Sequence, residues 1–281
     1  MAKLLEGKPL AEKIKEKIRL EVTSFKNKPV LASIMIGENA GAMAYVKSQA
    51  KAAENLGIEY SLQNLPQHAR EDSLIELVRK LNSDNSVNGI IIQMPLPQAI
   101  DYKKISQFIS PQKDIEGMHP VNIGKILFGK AKLIPCTAGA VMELVNSSGI
   151  DLYGKEVVVV GHSEIVGKPL ALLLLDKFAT VTVTHIGTSK AGKLEEHVRR
   201  AEVLIVAVGR AGLIKGDWIK EGAVVIDVGI NRVGEKIVGD VEFETAEKRA
   251  GFITPVPGGV GPLTVTMLMR NLVEAVKAQQ G

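Results

Sequence analysis

Apolar side chains recur at helical spacing over residues 9–24 and then run unbroken through 30–37 (Val-Leu-Ala-Ser-Ile-Met-Ile-Gly), which predicts a helix followed by a strand. Met43, Val46, Ala50, Ala53 and Leu56 form one stripe, predicting a second helix that Gly57 stops. A strand near 58–65, a helix near 72–82 and a strand over 87–93 follow. Continuous apolar strands separated by helices indicate a parallel sheet covered on both faces. Pro95, Pro97, Pro111 and Pro120 then interrupt the pattern, and a domain boundary is expected near 118–120. Beyond it the alternation resumes, with helices over 137–148, 167–177 and 193–201 and strands over 156–160, 179–185, 203–208 and 223–228. A last helix is expected over 262–278. The pattern describes an α/β chain of two domains.

Composition narrows the function classes. With 281 residues, 46% hydrophobic and 23% charged, the chain is long enough for a sizeable core and unlike a disordered segment. Thirty-five basic against 31 acidic side chains leave +4, too small and too scattered an excess to imply nucleic acid, and 4% aromatics argue against a base-stacking platform. The single cysteine, Cys136, excludes an internal disulfide and suits a reducing, cytoplasmic setting. No apolar run approaches the roughly 20 residues a membrane span needs. The start, Met-Ala-Lys-Leu-Leu-Glu-Gly-Lys, lacks the apolar stretch of a signal peptide. His68, His119, His185 and His197 show no metal-ligand spacing, and no metal is expected.

The segment 156–169 reads as strand, glycine turn, helix. Gly161 would let the backbone leave the strand sharply, and Gly167 would let the helix approach closely, so that free amides at its start face a pyrophosphate. Ser163 holds the middle position of the glycine fingerprint, so the motif alone also fits a flavodoxin-like sheet whose glycines only turn corners. Further strand-glycine turns at 208–209 and 228–229 favour nucleotide binding. The next strand ends Thr184-His185-Ile186-Gly187 without the carboxylate that takes the ribose hydroxyls of NAD, and Lys190 and Lys193 are candidates for a 2′-phosphate.

Several stretches together resemble the bacterial FolD family of bifunctional methylenetetrahydrofolate dehydrogenase/methenyltetrahydrofolate cyclohydrolases. They are 45–58 (Tyr-Val-Lys-Ser-Gln-Ala-Lys-Ala-Ala-Glu-Asn-Leu-Gly-Ile), 89–97 (Gly-Ile-Ile-Ile-Gln-Met-Pro-Leu-Pro), 113–117 (Lys-Asp-Ile-Glu-Gly), 135–137 (Pro-Cys-Thr) and 161–169. Later matches are 227–231 (Asp-Val-Gly-Ile-Asn), 239–241 (Gly-Asp-Val) and 254–264 (Thr-Pro-Val-Pro-Gly-Gly-Val-Gly-Pro-Leu-Thr). The resemblance runs end to end. It implies a catalytic folate domain over 1–118 completed by a helix over 262–281, a Rossmann-like NAD(P) domain over 119–261, a cleft between them, and a homodimer. Tyr45, Glu116, Pro257, Gly258 and Gly259 would hold folate, and Gly161, His162, Ser163, Ile186, Gly229 and Ile230 the cofactor.

The resemblance also implies two reactions. In the first, hydride passes from the methylene carbon of 5,10-methylenetetrahydrofolate to the nicotinamide, and the protein mainly positions the carbons. In the second, water adds to the methenyl carbon with a proton shuttled by a lysine four residues after the tyrosine, aided by a glutamine. Tyr45 and Gln93 match two of these catalytic positions, but Gln49 stands where the family has its lysine. An amide has no proton to exchange near neutral pH, and Lys47 and Lys51 point elsewhere round the helix, so cyclohydrolase activity is expected to be weak or lost. A fully bifunctional enzyme and a catalytically silent folate- or nucleotide-binding member are the alternatives. Glu116 replaces an aspartate that grips the pterin. His162 and Ile186 replace phosphate contacts, which leaves NADP implied by the family and NAD open.

Overall fold

The computed structural model describes residues 1–280. The chain opens with β1 (Lys3–Leu4), α1 (Gly7–Ser24), β2 (Val30–Ile36), α2 (Ala40–Asn55), β3 (Glu59–Leu65), α3 (Glu71–Ser83) and β4 (Gly89–Ile92). Three short helices follow the prolines or close the segment behind them: α4 (Tyr102–Ser106), α5 (Pro120–Leu127) and α6 (Cys136–Ser147). Then come β5 (Glu156–Val160), α7 (Gly167–Leu175), β6 (Thr180–Thr184), α8 (Ile186–Lys190), α9 (Leu194–Arg200), β7 (Val203–Val206) and β8 (Val224–Asp227). The chain finishes with β9 (Asn231–Val233), β10 (Lys236–Val238), α10 (Phe243–Ala246), β11 (Phe252–Ile253) and α11 (Gly261–Gln280). No described helix is long and apolar enough to cross a membrane, and no group of three or more metal-ligating side chains occurs among the described residues.

The chain forms two compact units: residues 13–136 with 265–280, and residues 137–264 with 1–12. In the first, β2 lies between β3 and β4 in a parallel sheet, Leu31 facing Tyr60 on one side and Gly89 on the other. Ala32, Ile34, Leu74, Val78, Ile90 and Ile105 form its fully buried core. Helix α2 starts three residues earlier than its apolar stripe because the Asn39 side chain accepts from the Ala42 N–H at 2.9 Å, capping a turn that carries little apolar signal.

The second unit holds a six-stranded parallel sheet in the order β1-β11-β8-β7-β5-β6. Residues 157–160 and 203–206 are buried along their whole length, which is why they read as unbroken valine and isoleucine runs.

The observed division differs from an expected boundary near 118–120. Residues 119–136 stay with the first unit because Asp114 Oδ2 accepts from the His119 N–H (2.7 Å) and the Asn122 amide (2.9 Å). Asn271 Nδ2 also donates to the Ile115 and Ile134 carbonyls, both at 2.8 Å. At the other end, Lys3 and Leu4 pair with Phe252 and Ile253 at the sheet edge, which places the first residues in the second unit. The hairpin β9–β10 is antiparallel and stands apart from the large sheet.

Two buried aspartates hold the loops that leave β7 and β8. Asp240 accepts from three successive backbone amides, Val208 (2.7 Å), Gly209 (3.0 Å) and Arg210 (2.7 Å), and from the Asn231 side chain (2.9 Å). Asp227 accepts from the amides of Gly229 (2.9 Å), Asp240 (3.0 Å) and Val241 (2.9 Å). Burial nevertheless pushes the Asp227 carboxyl up to about 6, since the amides offset only part of the desolvation. A Cβ on Gly229 would lie 2.2 Å from the Asp240 carboxyl carbon, and one on Gly239 1.9 Å from an Asp227 oxygen, so both positions require glycine. Asp240→Ala would remove the buried acceptor of three backbone N–H groups at a cost of about 3 kcal/mol in all, and a scanning calorimeter should record a melting temperature lower by about 10 °C.

Candidate active site

Tyr45 and Gln49 sit one turn apart on α2, as the spacing predicts, but in different surroundings. Tyr45 remains 40% exposed, whereas Gln49 is fully buried. Gln49 Oε1 accepts two hydrogen bonds, from the Tyr60 hydroxyl and from Gln93 Nε2, both at 2.8 Å. Gln93, just past the end of β4, also donates to Ser33 Oγ at 3.0 Å. The structure thus brings Gln49 and Gln93 into direct contact through the middle strand of the small sheet. Gln49 Nε2 itself has no hydrogen-bond partner. Desolvation pushes the Tyr45 phenol up to about 12, while Gln49 opposes that shift. Tyr45 therefore keeps its proton at neutral pH. Lys47 and Lys51 are exposed and play no part in the cluster.

Glu116 lies in the same unit, half-buried, and its Oε2 accepts from the Tyr102 hydroxyl at 3.0 Å. Burial pushes this carboxyl up to about 7, and the neighbouring Asp114 adds to the shift. Its charge is felt in turn by Tyr45 and by Cys136, whose thiol is pushed up mainly by burial. Lys113, three residues earlier, is buried, and its ammonium donates to the Leu81 (3.0 Å), Asn82 (2.8 Å) and Asp84 (2.7 Å) carbonyls at the end of α3. Desolvation lowers its affinity for the proton. Pro257, Gly258 and Gly259 belong to the other unit, where the Gly258 carbonyl accepts from the Gly7 N–H and the Gly259 N–H donates to the Pro255 carbonyl.

In that second unit a cavity of about 350 Å³ opens at the ends of β5 and β6. Gly161, His162, Ser163 and Ile186 all line it, and His185 and Arg210 join them. Gly161 leaves β5 at φ +119°, and a Cβ there would lie 2.3 Å from the Ala207 carbonyl oxygen. A Cβ on Gly167 would lie 2.1 Å from the Gly161 carbonyl oxygen, so α7 can start against the turn only with glycine there. This cradle fits a dinucleotide phosphate. Gly229 and Ile230 follow β8 and do not line this cavity.

The His162 and His185 rings stand 5.1 Å apart. His185 Nδ1 accepts from the Gly187 N–H, which opens α8. Among the lining residues there is no carboxylate. Lys190 and Lys193 are exposed and outside the lining; the cation that reaches it is Arg210, which the strand-end logic overlooked because it follows β7 rather than β6.

Two family models match the sequence: the tetrahydrofolate dehydrogenase/cyclohydrolase catalytic domain over residues 5–116 and its NAD(P)-binding domain over residues 135–280. The chain belongs to the tetrahydrofolate dehydrogenase/cyclohydrolase family. The bifunctional protein FolD of Acetivibrio thermocellus is 50% identical over 282 residues, covering 99% of this chain and 98% of that one. The crystal structure of the Campylobacter jejuni bifunctional FolD superposes with a TM-score of 0.95 at 43% identity, covering 99% of both chains. The Trypanosoma brucei FolD, solved with NADP and an inhibitor, gives 0.92 at 38% identity over 99% and 98%. This family member thus has the two-domain α/β fold of FolD and a nicotinamide-binding unit.

Removing the amide of Gln49 tests the buried cluster. Gln49→Ala leaves the Tyr60 hydroxyl and Gln93 amide short of an acceptor, and should lower unfolding free energy by about 2 kcal/mol in a denaturant titration.

Proposed function

We propose that this chain is a bifunctional enzyme: it oxidises 5,10-methylenetetrahydrofolate and hydrolyses the methenyl product to 10-formyltetrahydrofolate. The nicotinamide, when bound, supplies the hydride acceptor. Relatives near half identity over the full length that carry the bifunctional name support this reading over one in which cyclohydrolase activity is weak or lost. For the hydride step the protein has only to hold and orient the folate, and no residue need exchange a proton. Tyr45, protonated and partly exposed, offers a ring face and a hydroxyl. Gln93 is fixed by Ser33 and Gln49, which sets its angle before substrate arrives. A hydride-only enzyme remains the second reading, favoured by one observation: the family's lysine position holds Gln49, a buried amide with no exchangeable proton at neutral pH.

For the cofactor we infer NADP. The absence of a carboxylate from the cavity lining removes the usual ligand of NAD's ribose, and Arg210 with the two histidines supplies donors for a 2′-phosphate.

Two measurements test these readings. The unaltered chain should convert methenyl- to 10-formyltetrahydrofolate, followed spectrophotometrically, well above the uncatalysed rate; a rate equal to background would leave the dehydrogenase alone. Arg210→Ala should lower kcat/KM for NADP about tenfold while changing that for NAD much less.

A further inference from the structure

Water addition needs a group that accepts a proton near neutral pH, and the cluster around Tyr45 can be searched for one. Gln49, Gln93 and Ser33 have none to exchange. Burial raises the Tyr60 and Tyr102 phenols and the Cys136 thiol and, with Tyr45 at about 12, keeps all four protonated. Lys113 has its three N–H donors aimed at three carbonyls, and Asp114, 3% exposed, accepts from His119 and Asn122. Glu116 differs from all of these. It is half-buried where Asp114 is enclosed, it accepts from the Tyr102 hydroxyl and the Ile92 backbone N–H, and its charge reaches Tyr45.

We propose that Glu116, oriented by the Tyr102 hydroxyl, is the proton carrier for water addition to the methenyl carbon, taking over the task for which Gln49 has no chemistry. The inference rests on the bifunctional reading. In the step itself, a water oxygen forms a bond to the methenyl carbon as one of its protons passes to the Glu116 carboxylate, directly or through one water. The resulting carbinolamine then loses its hydroxyl proton, its bond to N5 breaks, and N5 takes up a proton from Glu116. The sum is methenyl cation plus water giving 10-formyltetrahydrofolate and one proton released to solvent, with no oxidant or reductant. The extra methylene of glutamate over the family's aspartate extends the carboxylate's reach from the backbone, and a value near 7 suits a group that must first accept and then return a proton.

The test compares the two activities of the full chain, each over a pH range and with the uncatalysed hydrolysis subtracted. The titratable groups facing Glu116 are Tyr102, Asp114, Tyr45 and Cys136, and burial raises the two phenols and the thiol further above neutral pH. Because the base must be ionised, cyclohydrolase kcat should rise as pH increases through about 7 and level off above it. Glu116→Gln should lower the ratio of cyclohydrolase to dehydrogenase kcat by about 100-fold and abolish that inflection, and Glu116→Asp should restore part of the ratio and the inflection. Equal losses in both activities, as expected of a residue that only grips the pterin, would overturn the inference, as would an inflection surviving in Glu116→Gln. An unaltered chain with dehydrogenase but no cyclohydrolase turnover would overturn the bifunctional reading together with it.

Discussion

The loops after β7 and β8 and the entry into α5 are held by carboxylates turned inward onto backbone amides. Asp240 and Asp227 accept six main-chain N–H bonds between them, which ties the turns after β7 and β8 together, and Asp114 does the same for the entry into α5. Buried N–H groups in an irregular segment have no ladder or helix to satisfy them, so a fixed loop needs such acceptors. Their occupancy also decides which acids remain chemically available. A carboxylate enclosed by several amides is part of the framework; Glu116, half-buried and held by the Tyr102 phenol and one amide, that of Ile92, keeps room for a further partner.

The substitution of glutamine for lysine at position 49 acts in the same terms. An ammonium in that buried place would need charge compensation, whereas the amide fits a neutral network with Gln93, Tyr60 and Ser33. The local gain is a pair of precisely aimed side chains at the end of the small parallel sheet. The local loss is acid–base chemistry, which leaves the proton to be handled elsewhere.

Much of this was legible in the residues. Runs such as 157–160 and 203–206 are apolar along their whole length and could be read directly, as could the turn glycines whose Cβ atoms would strike backbone. The motifs at 45–58 and 89–97 brought Tyr45, Gln49 and Gln93 to notice together. What stayed hidden depends on contacts distant in sequence. The two-residue strands β1 and β11 have no periodicity to detect and exist through their pairing. Residues 119–136 followed a run of prolines that suggested a boundary, yet side-chain hydrogen bonds from Asn122 and Asn271 keep them with the first unit. Arg210 reaches the nucleotide cavity from a loop whose course is set by Asp240, 30 residues further on, and no local pattern announces it.

Lys113 shows how far such dependence extends. Its ammonium gathers the last carbonyls of α3, closing a helix that ends 30 residues earlier in the chain. Glu116 stands three residues beyond that anchor, so its carboxylate takes its bearings from α3 and not from its own short segment. Remodelling the solvent-facing end of that helix would thus re-aim a group on the opposite side of the lysine, with no change to any residue that meets the folate.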